Sequence, residues 1–426
     1  IQIRSGPLWN PEERRWEIRY FASGAGTCLA ISRDGLTWEK PFLGRFEFQG
    51  SKENNLAHPL GSMDDFLYHV IYDSRDADPQ HRWRALIGER NPRPAASPDG
   101  FSWEFLSEKR ITSGEESFLV FDELAEEFVF TCRTAIDKGF GRHRAVNLSV
   151  SRDFVNWTEP ELLFYADGRD QELGKKWLER HLANPVMRKP LLNNPDQWNA
   201  QVYNMSVFPY EGLYIGLPTL FRSCGQDDTT PAGDGFSEPG LTVSRDRKEW
   251  RYVAEDRTSF IPLSPVAEGV YDTAQIEAPA RPIRVGDELW FYYSALKYRY
   301  SAEQTPTTVD TGSVCLAMLR LDGFVGLHAG SSEGTLVTRP LVWQGKALFI
   351  NGDTPCGEIR VEILDTNGKP IAEEFSFRHS IPVQGDGVRF PVYWDNNTDL
   401  EGLNGKTVCL RFHLRNAGLY SFWTEL

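Results

Sequence analysis

The sequence predicts an all-β protein, a five-bladed β-propeller followed by a C-terminal β-sandwich, and three observations predict it. The first is a hairpin written again and again. Ser32-Arg33-Asp34-Gly35-Leu36-Thr37-Trp38 returns as Ser97-Pro98-Asp99-Gly100-Phe101-Ser102-Trp103, as Ser151-Arg152-Asp153-Phe154-Val155-Asn156-Trp157 and as Ser244-Arg245-Asp246-Arg247-Lys248-Glu249-Trp250. A fifth copy, Leu319-Arg320-Leu321-Asp322-Gly323-Phe324, keeps Asp-Gly and has lost Ser and Trp. Ser and Asp side chains accept hydrogen bonds from nearby backbone N–H groups and Gly takes positive φ at little cost, so the motif closes a tight turn. The Trp then opens the returning strand, where its ring can pack between consecutive sheets. The second observation is that each copy ends a short alternating run, and a unit recurring without tandem identity points to radial repetition. The third is a change of texture near Ser331, after which alternating strands continue without the hairpin.

Taken in order, blade one spans Ile3–Asn10, Trp16–Ala22 and Thr27–Ile31, with the polar turn Pro11–Arg15 between its first strands. Blade two runs from Phe66–Tyr72 through Trp83–Ile87 to Trp103, and blade three from Ser117–Phe121 through Phe128–Cys132 and Ala145–Val150. The chain between Tyr165 and Trp198 is an insertion in which Gln171–Leu182 reads as a helix, and such insertions shape one rim. Blade four holds Val202–Phe208, Leu213–Leu217 and Gly240–Val243, and the polar, Gly-rich stretch Cys224–Ser237 reads as a loop within it. Blade five holds Ile276–Val285, Glu288–Ala295 and Ser313–Leu321. The domains expected are therefore a propeller over residues 1–330 and a sandwich over 331–426, the latter with a hairpin turn at Asp365-Thr366-Asn367-Gly368-Lys369-Pro370.

Composition narrows the function. A net charge of −14 over 426 residues argues against a nucleic-acid partner, which needs a basic face. No apolar run approaches the ~20 residues of a membrane-spanning helix. The six cysteines (Cys28, Cys132, Cys224, Cys315, Cys356, Cys409) contain no Cys-x-x-Cys pair, which favours buried thiols over a disulfide framework or zinc site. No metal site and no cofactor are expected, a structural calcium in the funnel being left open together with the oligomeric state. The residues from Ile1 onwards show no signal-peptide pattern, and export is not read from them. A periplasmic or secreted location is expected, with the cytoplasm as the alternative.

In a propeller the innermost strands converge on one axial funnel, so polar residues near their starts become neighbours. Glu277 lies in the otherwise apolar Gln275-Ile276-Glu277-Ala278-Pro279-Ala280-Arg281, where an acid is costly unless paired or used. Arg281, further along the same face, is its expected ion-pair partner if the role is structural. Glu115 and Glu116 precede an apolar strand, so one is expected to face the funnel, Glu116, and the other solvent. Asp272 is the third candidate acid. Asp64 and Asp65 read as solvated loop charges, and the hairpin Asp and Trp residues as structural. Paired carboxylates suit glycoside hydrolysis, in which one protonates the leaving oxygen and the other acts as nucleophile or base. Trp9, Trp198, Tyr203, Asn204, Arg142, His143, Arg222 and Tyr298 are the expected substrate contacts, stacking on or hydrogen-bonding to sugar rings. No phosphate loop, nucleophile elbow or His-rich metal motif competes.

These features resemble the five-bladed propeller enzymes of the glycoside hydrolase family 32 and family 43 clans. The nearer likeness is to a family-32-like group abundant in planctomycete-type bacteria. It is carried by Phe48-Gln49-Gly50-Ser51-Lys52-Glu53-Asn54-Asn55, by Val285-Gly286-Asp287-Glu288-Leu289-Trp290-Phe291-Tyr292-Tyr293, by Leu319–Val325 and by Leu403–Phe412 with Leu419-Tyr420-Ser421-Phe422. The resemblance implies a carbohydrate substrate and three acids on innermost strands, the first of them an Asp in blade one. Here Leu8-Trp9-Asn10-Pro11 supplies no acid, so a family 32 fructosidase activity does not follow. The expected function is hydrolysis of a glycosidic bond in a poly- or oligosaccharide. The rivals are a non-catalytic glycan-binding propeller, favoured by the missing acid, and a polysaccharide lyase with Tyr203 or His143 as base.

Overall fold

The computed structural model describes residues 1–228, 230–299, 310–395 and 400–426. The chain is built mainly of β-strands and divides into two compact units, one of residues 1–283 and 290–317, the other of residues 284–289 and 318–426. No helix is long and apolar enough to cross a membrane.

In the first unit, sheets of four antiparallel strands follow one another along the chain. The first contains Leu8–Asn10, Arg15–Ala22, Gly26–Ser32 and Leu56–Pro59, the second Leu67–Tyr72, Trp83–Ile87, Arg93–Ser97 and Glu104–Phe105. The third contains Ser117–Asp122, Glu127–Asp137, Arg142–Ser151 and Glu161–Tyr165. The next group, Asn199–Tyr210, Leu213–Gly225, Thr242–Ser244 and Arg251–Tyr252, also takes in Asp234–Pro239. Through that strand it joins Gln275–Glu277, by the parallel pair Ser237 and Gln275.

The repeated hairpin is built as its side chains dictate. Asp34 Oδ1 accepts from the N–H groups of Leu36 and Thr37, both at 2.8 Å, while Ser32 Oγ accepts from Gly35 N. Asp99, Asp153 and Asp246 repeat the pattern. Gly35 and Gly100 sit at φ +76° and +73°, and where Gly is missing Phe154 and Arg247 are forced to +68° and +61°. Packing compensates, because Phe154 is fully buried between Phe128 and Trp157, and Arg247 pairs with Asp122 and Glu127. The indole N–H groups of Trp38, Trp157 and Trp250 close the turn on backbone carbonyls.

Hydroxyl and imidazole groups stitch successive sheets together around a centre. Ser5 donates to the Tyr68 carbonyl, His69 meets Ser117 at 2.8 Å, Thr131 donates to the Met205 carbonyl and Thr219 accepts from Ala278 N. Ser294 accepts from Ile3 N and so returns to the N-terminal segment. His69 is buried, and burial followed by the nearby Arg4 charge lowers its pKa from 6.5 to about 3. On acidification the unfolded chain therefore binds the proton first, and stability falls from pH 6.5 downwards by up to about 1.4 kcal/mol per pH unit. Urea unfolding at stepped pH is expected to show a shallower acid slope in His69→Gln than in the wild type.

The expected helix is present as α1, Gly168–Ala183, started by a capping box in which Asp167 accepts from Asp170 N and Asp170 from Asp167 N. The stretch expected as the loop Cys224–Ser237 is corrected: it contains the start of the buried strand Asp234–Pro239. Its glycine is spatial, since a Cβ on Gly235 would stand 2.2 Å from the Arg222 carbonyl. In the second unit a seven-stranded antiparallel sheet is centred on one long strand, Ala347–Leu364, flanked by Thr407–Arg415 and Ala417–Glu425. Trp343, Ile350, Val361, Trp394 and Phe412 form its core. Gly368 N bonds the Asp365 carbonyl in the expected turn.

Candidate active site

Glu277, Glu116, Tyr203 and Asn204 converge, and what joins them is a residue the sequence reading did not single out. Arg4, in the segment that precedes the first strand, places one guanidinium nitrogen on Glu277 Oε2 and the other on Glu116 Oε2, the latter at 2.6 Å. Arg4 and Glu277 are 3% and 1% exposed and Glu116 is 11% exposed, so the cation neutralises two carboxylates away from bulk water. Hence Arg4, rather than Arg281, is the ion-pair partner of Glu277. Arg281 lies beyond Pro279 on an exposed edge and pairs with Glu123.

Each carboxylate has further neighbours. Glu277 accepts from Gln275 Nε2 at 3.0 Å and from Gln2 Nε2 at 3.5 Å. Glu116 accepts from the Tyr203 hydroxyl at 3.3 Å and from Asn204 Nδ2 at 3.4 Å. Glu116 holds φ +60°, a region costly for a residue with a side chain and concentrated at functional sites. Glu115, expected in solvent, instead pairs with Arg90 and Arg133. Adjacent in the chain, the two acids thus serve different cations, Glu116 facing Arg4.

The electrostatics separate the groups. Burial drives the Glu277 pKa up against the pull of Arg4, and the Glu116 charge adds to the rise. Burial disfavours the Arg4 cation, but Glu116 and Glu277 together outweigh it and hold the guanidinium charged. Burial and then Glu116 raise the Tyr203 phenol, and the same two causes raise Glu89. Around the Tyr203 ring stand Arg299, Arg133 and Arg144, their guanidinium carbons 4.8, 5.2 and 5.9 Å from its centre.

The remaining candidates lie elsewhere. Asp272 lies in the turn before the strand Gln275–Glu277 and accepts from the Tyr293 hydroxyl at 3.0 Å. Trp9 stacks edge-on against Trp16 and lines a cavity of about 410 Å³ with Tyr72, Arg75, Phe121 and Arg281. That cavity is also lined by Ser5, Gly6, Pro7 and Leu8, the residues that follow Arg4 in the chain. Arg222 pairs with Glu238 beneath Trp177, lining a second cavity of about 380 Å³ beside α1. Trp198 donates to Asn193. Arg142 is exposed at the strand end opposite Asp137, with His143 next to it opposite Ile136. Tyr298 lies under Arg188. Among the described residues no group of three or more His, Cys, Asp or Glu side chains is placed to hold a metal ion.

The missed residues had little local signal: Arg4 stands in the mixed stretch Ile1-Gln2-Ile3-Arg4-Ser5, and Arg144 and Arg299 are the immediate neighbours of the predicted His143 and Tyr298.

No protein-family model matches the chain, and no curated protein matches it in sequence. Among solved structures it is similar to an endo-arabinase from Bacteroides thetaiotaomicron, at 11% identity and TM-score 0.42 over 75% of this chain and 95% of that one. It is also similar to an exo-β-1,3-galactanase from Phanerochaete chrysosporium, at 11% identity and TM-score 0.36 over 98% and 96%. A third is a family 32 β-fructofuranosidase from Bombyx mori, at 11% identity and TM-score 0.30 over 80% and 88%. The similar structures thus include β-propeller glycoside hydrolases of both groups named from the sequence.

Proposed function

We propose that the first unit is a five-bladed β-propeller, that the second is a β-sandwich, and that the protein hydrolyses a glycosidic bond of a poly- or oligosaccharide at the axial end where Glu277 and Glu116 meet. The observation that carries this reading is two carboxylates, from strands 161 positions apart in sequence, held on one guanidinium. Glycoside hydrolysis needs two carboxyl groups roughly 5–9.5 Å apart, one protonated and one ionised. Glu277, with its pKa raised by burial, is the proton donor to the leaving oxygen. Glu116, the more exposed and the one hydrogen-bonded by Tyr203 and Asn204, is the carboxylate that faces the sugar ring. Arg4 positions both.

A second reading, a glycan-binding propeller without turnover, draws on the same geometry, because Glu277 is almost fully buried and Arg4 already satisfies it. A product screen separates the two. The purified protein is incubated with plant and algal polysaccharides and aryl glycosides, and new reducing ends, ultraviolet absorbance and affinity electrophoresis are recorded. Hydrolysis gives reducing ends without absorbance, and a lyase gives both. Retardation by a glycan with neither product establishes the binding reading.

A further inference from the structure

We propose that Arg144 and Arg299 form a subsite for an oxyanion carried by the substrate, a uronate carboxylate or a sulfate ester, so that the glycan recognised is acidic. The inference rests on the reading of this end of the first unit as the glycan site.

The arginines of the site divide by whether their charge is already met. Arg4 faces two carboxylates, and Arg90 and Arg133 share Glu115. Arg144 bonds only neutral acceptors, Gln201 Oε1 and the Ala232 carbonyl, both at 2.8 Å. Arg299 is 9% exposed, and its Nε has no hydrogen-bond partner. Among the described residues neither Arg144 nor Arg299 has a carboxylate within ion-pair distance. Their guanidiniums share the face of Phe221, at 5.3 and 4.8 Å, as well as that of Tyr203.

Placing cations side by side out of water is unfavourable unless an anion completes them. Its effect is visible in Arg144, whose pKa burial and then the Arg299 and Arg133 charges lower to about 10. A planar guanidinium offers paired donors that match carboxylate and sulfate oxygens, and stacking on Tyr203 and Phe221 fixes its plane before the ligand arrives. Tyr203 also donates to Glu116. The anion would therefore sit one side chain from the proposed hydrolytic pair, on the reacting sugar or its neighbour.

The test is calorimetric titration of the whole protein with matched ligands. These are oligogalacturonate and its methyl ester, a sulfated galactan oligosaccharide and its desulfated form, and inorganic sulfate and inorganic phosphate alone. The acidic member of at least one pair is expected to bind ten-fold or more tightly than its neutral counterpart. Added salt and either Arg299→Met or Arg144→Met should abolish that preference, Arg299→Lys should keep part of it, and Glu277→Gln should leave it intact. Near-ultraviolet circular dichroism verifies that the variants are folded. The proposal is overturned if no pair differs by more than twofold, or if the preference survives both methionine variants. It is equally overturned if phosphate alone binds in an Arg299-dependent way while no pair discriminates, since the anion would then be a free co-substrate. Acid preference without new reducing ends would leave the subsite standing and remove the hydrolysis. Cleavage of neutral glycans without preference would do the reverse.

Discussion

Arg4→Met is expected to destabilise the protein by about 3–5 kcal/mol at neutral pH, the cost of leaving buried charge without its partner. Methionine keeps much of the side-chain length but supplies no donor, so Glu277, at 1% exposure, and Glu116 would face each other uncompensated. A buried carboxylate left so responds by binding a proton. In the variant the folded-state proton affinity of Glu277, already raised by burial, exceeds that of the unfolded chain, so the folded form gains stability as the pH falls towards the ordinary carboxylate range and loses it as the pH rises. The deficit relative to wild type should therefore be largest at pH 7–8 and shrink on acidification. Urea midpoints of both proteins across that range measure it. Adding Glu277→Gln and Glu116→Gln to Arg4→Met should recover most of the loss, because neutral amides need no counter-ion. A deficit below about 1 kcal/mol with no dependence on pH would mean that the pair is wet and weakly coupled, as exposed ion pairs are.

The same residue shows what the sequence could and could not reveal. The Ser-x-Asp hairpins were legible because their bonds span two or three positions: Asp34 Oδ1 accepts from Ser32 Oγ, Leu36 N and Thr37 N. Glu277 was legible because an acid among Ile276, Ala278 and Pro279 contradicts its surroundings. Arg4 was not, since its partner stands 273 positions away, and no local pattern encodes which strand start meets which. Glu116 and Glu115 are adjacent in the chain, so their two sets of arginine partners became distinct only in the fold. The strand Asp234–Pro239 begins inside the stretch Cys224–Ser237 that reads as a loop, because Asp234, Gly235 and Ser237 are turn formers. In the structure its carboxylates are buried and bonded, Glu238 to Arg222 and Ser259, and Asp234 to the N–H groups of Leu191 and Leu192. The arginines around Tyr203 escaped for a related reason: alternation says which residues share a face, and ring closure decides which face is inside.

Glu277→Gln is expected to lower kcat on a polysaccharide substrate by at least about a hundredfold, the usual worth of a positioned general acid. The amide retains the volume of the acid, but its single oxygen can accept at only one of the two places where Oε1 meets Gln275 Nε2 and Oε2 meets Arg4, so some stability is lost while Glu116 still faces the Arg4 cation and KM should change little. What is lost is the proton. Burial raises the Glu277 pKa, which keeps the acid form populated to higher pH than an ordinary glutamate allows. The wild-type rate should therefore fall on the alkaline side as Glu277 ionises, and that limb should vanish in the variant. An aryl glycoside whose leaving group departs without protonation offers a control in the same protein, since bond cleavage there no longer needs the donor. On that substrate Glu277→Gln should retain most of its initial rate, whereas Glu116→Gln should lose it on both. Initial rates over a pH series for the two variants and two substrates give the whole comparison. A loss smaller than tenfold in Glu277→Gln on the polysaccharide would make the residue a structural partner of Arg4. Retention of glycan binding in that case would leave the binding propeller as the function of this site.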